Sequence, residues 1–258
     1  MTPIIEVSHL SFAYDQVKVL KNLNFTLQQG TYCALMGANG SGKTTLGKLI
    51  CGLLHGFQGE IKINGKSINH LSQLDIAKLI AVVPQRQDLM FDFTVYETVM
   101  MGRNPHLGRW ESPSEKDHQI VREALHKTHL IEFKDRFTHQ LSGGEFQRTL
   151  IARAIAQKTP ILILDEPLSN LDIAHKFEIM EILRELNEQH QITIILILHE
   201  FAFAVQYVPL SLLLQSGEEL YYGETKQLFS TPLVKNGFNL KDPFTIDHNG
   251  NSYKIHNI

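Results

Sequence analysis

Two glycine-rich stretches and one pair of carboxylates carry the chemistry legible in this chain. The first stretch runs Gly37-Ala38-Asn39-Gly40-Ser41-Gly42-Lys43-Thr44, a full match to G-x-x-x-x-G-K-[ST]. Its glycines let backbone N–H groups turn inward around phosphate oxygens, where a Cβ would intrude. Gly42 and Lys43 open a predicted helix, whose N-terminal partial positive charge favours an anion. Lys43 is then expected to reach the β- and γ-phosphates, and the Thr44 hydroxyl to ligate Mg²⁺. The carboxylates are Asp165 and Glu166, which end the apolar run ILILDEP. Two acids at the carboxyl edge of a buried strand need something cationic beside them, and that edge is where α/β sheets bind ligands. Asp165 is expected to hold Mg²⁺ through water, and Glu166 to orient and polarise an attacking water.

The second stretch, LSGGEFQR from Leu141 to Arg148, precedes an amphipathic run. Ser142, Gly143 and Gly144 therefore form another helix N-terminus suited to an anion. The first loop already cradles its own phosphates. The economical explanation is that the second binds the γ-phosphate of nucleotide held by another copy of the chain. Two copies about a two-fold axis would each complete the other's site.

The elements that must position these residues follow from hydrophobic period. IIEVSHLSFAY, FTLQQGTYCALMG and GEIKING read as strands separated by turn residues. GKTTLGKLICGLL reads as a helix directly after the glycine loop. TPILILDEP and QITIILILHE are continuous apolar runs, which fit parallel strands buried on both faces. Between them AHKFEIMEILRELNEQH has helical spacing. Helix between buried strands implies a parallel sheet with right-handed crossovers. From about residue 86 to 157 the apolar positions suit helices, with no strong strand between them. The expected fold is α/β: a mostly parallel core of the P-loop NTPase, RecA-like kind, an N-terminal antiparallel β subdomain and a helical insertion carrying LSGGE. The 258 residues fit one such domain, with a short C-terminal extension from about residue 231.

Composition narrows the function. A net charge of −3 argues against a basic face built for nucleic acid. Cys33 and Cys51, the only cysteines, lie in apolar stretches and are expected as buried thiols, a usage that fits the cytosol. The thirteen histidines are scattered, without a ligand spacing. No basic start leads into an apolar core, so no secretory leader is expected. The longest apolar runs fall well short of the ~18 residues of a membrane span.

With these residues in order, the chain resembles the ATP-binding cassette subunits of ABC transporters along nearly its whole length. GANGSGKT is similar to the family's Walker A loop, ILILDEP to its Walker B strand and LSGGEFQR to its signature motif. VVPQ supplies the Q-loop glutamine, Gln85; SNLD the D-loop, ending in Asp172; LILHE the switch histidine, His199. Tyr14 matches the aromatic that stacks on adenine. The resemblance implies ATP and Mg²⁺ as ligands. Nucleotide would be bound by Tyr14 and by Gly37, Ala38, Asn39, Gly40, Ser41, Gly42, Lys43, Thr44 and Thr45. Mg²⁺ would be held by Thr44, Gln85 and Asp165, and catalysis carried by Glu166, Gln85 and His199. Ser142, Gly143, Gly144, Glu145 and Asp172 would contact the nucleotide of the second copy. Glu145 departs from the glutamine commoner after LSGG, a change that leaves the backbone donors in place.

The resemblance also implies separate integral-membrane permease subunits, docked beside Gln85 and the helical insertion, and a substrate-binding protein acting through them. The chain is then peripheral, at the cytoplasmic face of the cell membrane. FDFTVYETVMMGRNPHLGRW followed by SEKDHQIVREAL resembles importers of ferric siderophores, haem and cobalamin. The alternative for this segment is a plain turn between helices in any cassette, leaving zinc, manganese or other transporters open. Pro209 and Leu210 depart from the Ala-Asp usual before the next strand. ABC ATPases acting on DNA or ribosomes form another class. The long coiled coil or second cassette of those proteins is not seen here, nor is the N-K-x-D motif of a GTPase.

Overall fold

Alternating apolar residues at the N-terminus make strands with one buried face, and the fold is built outward from them. The computed structural model describes residues 3–85, 92–108 and 110–240, and the backbone of 244–249 and 252–257. Residues 86–91, where the sequence places the start of the helical insertion, lie outside the described residues. The chain divides into two compact units, Met1–Leu71 with Thr193–Ile258, and Ser72–Ile192.

In the first unit, β1 (Ile5–Tyr14) and β2 (Val17–Leu27) pair antiparallel, Ile5 opposite Leu27. β3 (Tyr32–Met36) is buried at every position, as expected of a strand covered on both faces. It leads through the glycine loop into α1 (Lys43–Ile50). β4 (Gln58–Ile63) and β5 (Lys66–Ser67) complete a four-stranded antiparallel sheet of order β2-β1-β4-β5. Its core face buries Ile5, Val7, Leu10, Leu20, Leu23, Ile61 and Ile63, each worth about 1.5–3 kcal/mol. Register shifts near the end of β1 break the strict pairing there, and such bulges re-aim side chains. Tyr14 emerges from the sheet, exposed, with its ring edge-on to Phe12 at a centroid distance of 4.9 Å.

The second unit holds α2 (Gln73–Leu79), β6 (Ile80–Val83), α3 (Val95–Met100), α4 (Glu115–Lys127), α5 (Gly143–Ala156), β7 (Ile161–Asp165) and α6 (Ile173–His190). β6 and β7 run parallel, Ile80 opposite Ile161. One local code starts four of these helices. Ser72, Thr94, Ser114 and Ser142 cap α2, α3, α4 and α5, and Asp75, Glu97, Asp117 and Glu145 close the box in return. Each box satisfies two orphan donors. α5 packs against both α3 and α4, burying Val95, Val99, Val121, Leu125, Leu150 and Ile151.

The GRNPH segment has a packing role within this unit. A Cβ on Gly102 would lie 2.2 Å from the Arg153 carbonyl oxygen, so only glycine lets this turn approach α5 so closely. Arg103 then donates through Nη1 to the Ala156 carbonyl (2.8 Å) and through Nε to Asp117 Oδ1 (2.8 Å). The first bond caps the C-terminal turn of α5.

The chain returns to the first unit with β8 (Thr193–Ile197), α7 (Phe201–Tyr207), β9 (Leu210–Gln215), β10 (Glu218–Glu224), α8 (Thr225–Phe229) and α9 (Leu233–Gly237). A hairpin of β11 (Phe244–Asn249) and β12 (Ser252–Asn257) follows. β3 lies between β8 and β9, parallel to both, and β10 is antiparallel to β9. Pro209 stands just before β9, where no ladder N–H is required of it, and its carbonyl accepts from Thr225 N at 2.8 Å. Cys33 and Cys51 are buried free thiols. No described helix is long and apolar enough to cross a membrane.

The Arg103–Asp117 pair yields a test. Both side chains are about nine-tenths buried. The Ser114 hydroxyl, the Arg103 guanidinium and the Ser114 N–H hold the Asp117 carboxyl well below the usual aspartate range. A depressed folded value means stabilisation that is present above about pH 4 and lost as pH falls through that value. Asp117→Ala leaves a buried cation unpaired and is expected to cost about 3 kcal/mol in urea unfolding at pH 7. The difference from wild type should shrink below about pH 4.

Candidate active site

The glycine loop begins where β3 ends, and its shape is forced by neighbours. Gly37 has φ +141°, and a Cβ there would lie 2.3 Å from the Leu214 carbonyl oxygen of β9. At Gly42, φ is +103° and a Cβ would meet Leu20 at 2.5 Å. Ala38 N donates to the Gly237 carbonyl at 3.0 Å, tying the loop to α9. Within the curl, buried Lys43 donates from Nζ to the Gly37 and Ala38 carbonyls, each at 2.9 Å. The Ser41 hydroxyl is buried without a hydrogen-bond partner among the described residues. A phosphate oxygen would satisfy it. Helices α4, α5 and α6 each have a side-chain cap, whereas α1 has none. Its first-turn N–H donors are the kind an anion satisfies. Asn39, Gly40 and Thr44 are exposed and Thr45 is half-buried.

His199, half-buried, follows β8 at the carboxyl end of the strand paired with β3. The histidine and the loop thus leave the same edge of two neighbouring parallel strands, the edge where ligands bind. Tyr14 ends β1 in the other sheet of this unit.

The second unit brings Gln85, Asp165 and Glu166 together. β6 and β7 are parallel neighbours, so the residues just beyond their ends meet. Asp165 closes β7, and Glu166 follows with φ +49°. That left-handed backbone is uncommon for a side chain with a Cβ and marks a constrained turn. Ser169 fixes it, donating from N (3.2 Å) and Oγ (3.0 Å) to the Glu166 carbonyl. Gln85 Nε2 donates to Glu166 Oε2 at 2.6 Å. The bond orients the carboxylate that the sequence singles out as the base.

The same unit joins the signature segment to Asp172. Ser142 N donates to Glu145 Oε2 at 2.7 Å, and Glu145 N to Ser142 Oγ at 3.3 Å. The Ser142 N–H holds the Glu145 carboxyl below the usual glutamate range. The Glu145 side chain therefore serves its own helix start, a role written in the S-x-x-E spacing. Asp172 caps α6 by accepting from His175 N at 2.9 Å. The two glycines differ. A Cβ on Gly144 would lie 2.0 Å from His175 Cδ2, whereas one on Gly143 would meet, among the described residues, only Leu171, at 3.8 Å. His175 carries no local sequence signal beyond its place three residues after Asp172.

Lys43→Ala removes the charge-assisted donor at the loop. ATP affinity is expected to fall by about ten- to a hundredfold in equilibrium titration. Unchanged affinity would exclude Lys43 from the phosphate site.

Comparison with known proteins shows the family. The profile of the ABC transporter family matches residues 20–169. The chain is 37% identical over 238 residues to the petrobactin import ATP-binding protein FpuC of Bacillus anthracis, covering 92% of this chain and 88% of that one. It is 39% identical over 228 residues to the energy-coupling factor transporter ATP-binding protein EcfA1 of Fusobacterium nucleatum, covering 88% and 84%. Among solved structures it superposes on a metal-chelate type ABC transporter in an inward-facing conformation, with a TM-score of 0.84 and 29% identity over 99% of this chain and 96% of that one. With the glycine loop, the carboxylate pair and the signature segment all inside a matched family profile, this chain belongs to the ABC transporter family.

Proposed function

We propose that the chain binds ATP at Gly37–Thr45 and hydrolyses it in a site completed by Ser142–Glu145 and Asp172 of a second copy, energising an importer of iron chelates. The observation that carries the composite site is Gly143. Among the described residues its ideal Cβ meets one side-chain atom, at ordinary contact distance, and its backbone is not left-handed. Nothing among the described residues demands glycine there, while a phosphate approaching the start of α5 would.

In hydrolysis, Glu166 takes a proton from the water whose oxygen attacks the γ-phosphorus. The bond between that phosphorus and the β–γ bridging oxygen breaks, releasing ADP and phosphate. Gln85 holds Glu166 Oε2 in place, and Lys43 and His199 offset charge developing on the γ-phosphate oxygens. The oxygen donors of Thr44, Gln85 and Asp165 suit Mg²⁺, which keeps several waters and takes few protein ligands. When bound it neutralises the β- and γ-phosphates. Among the described residues there is no cluster of three His, Cys, Asp or Glu that would suit a softer metal.

Membership in the family and the lack of any described membrane-crossing helix support a peripheral subunit held at the cytoplasmic face by integral-membrane permease chains. A substrate-binding protein acts on it indirectly. The petrobactin-import relative and the metal-chelate transporter support the iron-chelate cargo. A second reading, a subunit of an energy-coupling factor transporter, is favoured by the relative of that name.

Glu166→Gln keeps an oxygen to accept from Gln85 and loses the base. Turnover should fall ~10²- to 10⁴-fold with ATP affinity retained, leaving an ATP-trapped dimer. Near-normal hydrolysis would remove Glu166 from this role. Mixed dimers test the shared site. With Gly143→Asp and Lys43→Ala on one chain, each of the two sites is damaged once. On separate chains, one site stays intact and should retain hydrolysis. Equal rates from both arrangements would rule out sharing. For the cargo, cells lacking the chain should lose uptake of ⁵⁵Fe-labelled siderophore and regain it with wild type but not with Glu166→Gln. Unaffected uptake would favour the second reading.

A further inference from the structure

Between the two segments assigned to the second copy's nucleotide stands a residue with no role so far. His175 lies in the first turn of α6, its N–H capped by Asp172 Oδ1. Its ring lies against the start of α5, where a Cβ on Gly144 would come 2.0 Å from Cδ2, 2.3 Å from Cγ and 2.6 Å from Nε2. Polar groups of both helices hold the ring. Nδ1 is 3.2 Å from Glu178 Oε2 on α6 and 3.5 Å from Arg148 Nη1 on α5, and Arg148 is itself paired with Glu178.

We infer that His175 is a positioning residue, setting the distance between the N-terminus of α5 and Asp172 so that both reach one nucleotide on a second copy. The inference rests on the composite-site reading. The imidazole occupies the volume a Cβ on Gly144 would need, so α5 cannot close on α6. Nδ1–H donating to Glu178, a carboxylate that Arg148 of α5 pairs in turn, keeps the ring from rotating out, so α5 cannot drift away either. Gly144 is thus glycine for the sake of the histidine ring, and Gly143 for the sake of the nucleotide. Neither Asp172 nor Ser142 can shift without disturbing this contact, and displacements near 1 Å in a reacting site can cost about a hundredfold in rate.

The test uses the full chain and ATP, with three readouts: nucleotide affinity of the monomer, ATP-driven dimerisation in a Glu166→Gln background, and steady-state hydrolysis. His175→Ala is expected to leave monomer affinity and the thermal midpoint close to wild type, to weaken ATP-driven dimerisation, and to lower kcat about ten- to a hundredfold with little change in KM. Gly144→Ala must push the ring aside and should reproduce these effects. Once the ring is gone the methyl has room, so His175→Ala with Gly144→Ala should be no worse than His175→Ala alone. His175→Phe, which keeps a ring over Gly144, should recover part of the lost rate. Gly143→Asp serves as the control for the composite site. If it dimerises normally, the composite-site reading fails, whatever His175 does. If it fails to dimerise while His175→Ala dimerises and turns over normally, the positioning inference is wrong. A double variant with additive losses would overturn it as well, as would a fall in kcat matched by lost thermal stability.

Discussion

One ammonium group ringed by backbone carbonyls organises the first unit. Lys43 can donate to Gly37 and Ala38 only because the loop between them turns back on itself. That turn needs the φ of +141° at Gly37 and +103° at Gly42, and both glycines are pressed against other strands. Leu214 of β9 sets the floor beneath Gly37, and Leu20 of β2 stands against Gly42. The loop's shape is therefore a property of the sheets around it as well as of its own residues. A curl closed on a lysine, with a buried unpaired hydroxyl at Ser41, already has a form in which phosphate oxygens can be received with little rearrangement. Preorganised donors of this kind stabilise developing charge without reorganisation during the reaction.

The second unit solves a different problem with repeated local chemistry. Four helix starts use the same reciprocal box of a hydroxyl and an acid. At α4 the box is tied further, because Asp117 also takes the Arg103 guanidinium. At α5 the box leaves the start of the helix ordered while the approach to Gly143 stays open. Glu166 itself has a left-handed backbone, fixed by Ser169, and its carboxylate is aimed by Gln85. A base held this way arrives at its reactant already oriented, which is where much of the advantage of an enclosed site over water lies.

Much of what has a local cause was legible in the sequence, although FTLQQGTYCALMG, read as one strand, is divided by a turn between Leu27 and Tyr32. Gly37 to Thr44, the acids after an apolar run, and LSGGE each need a contiguous backbone shape, so their chemistry is written at fixed spacing. The parallel strands β7 and β8 were legible from unbroken apolar runs, and the helices α4, α5 and α6 from their period. The capping role of Glu145 was legible too, in S-x-x-E, although it stands among residues that also suggest an anion. What only the tertiary structure decided lies where causes are distant in sequence. The difference between Gly143 and Gly144 depends on a histidine ring from another helix. The meaning of GRNPH depends on Arg153 and Ala156 of α5 and on Asp117 of α4. The tolerance of Pro209 depends on where the first ladder bond of β9 falls. Close packing is a relation between surfaces brought together by folding, and no pattern of residue types along one segment encodes which surface it will meet.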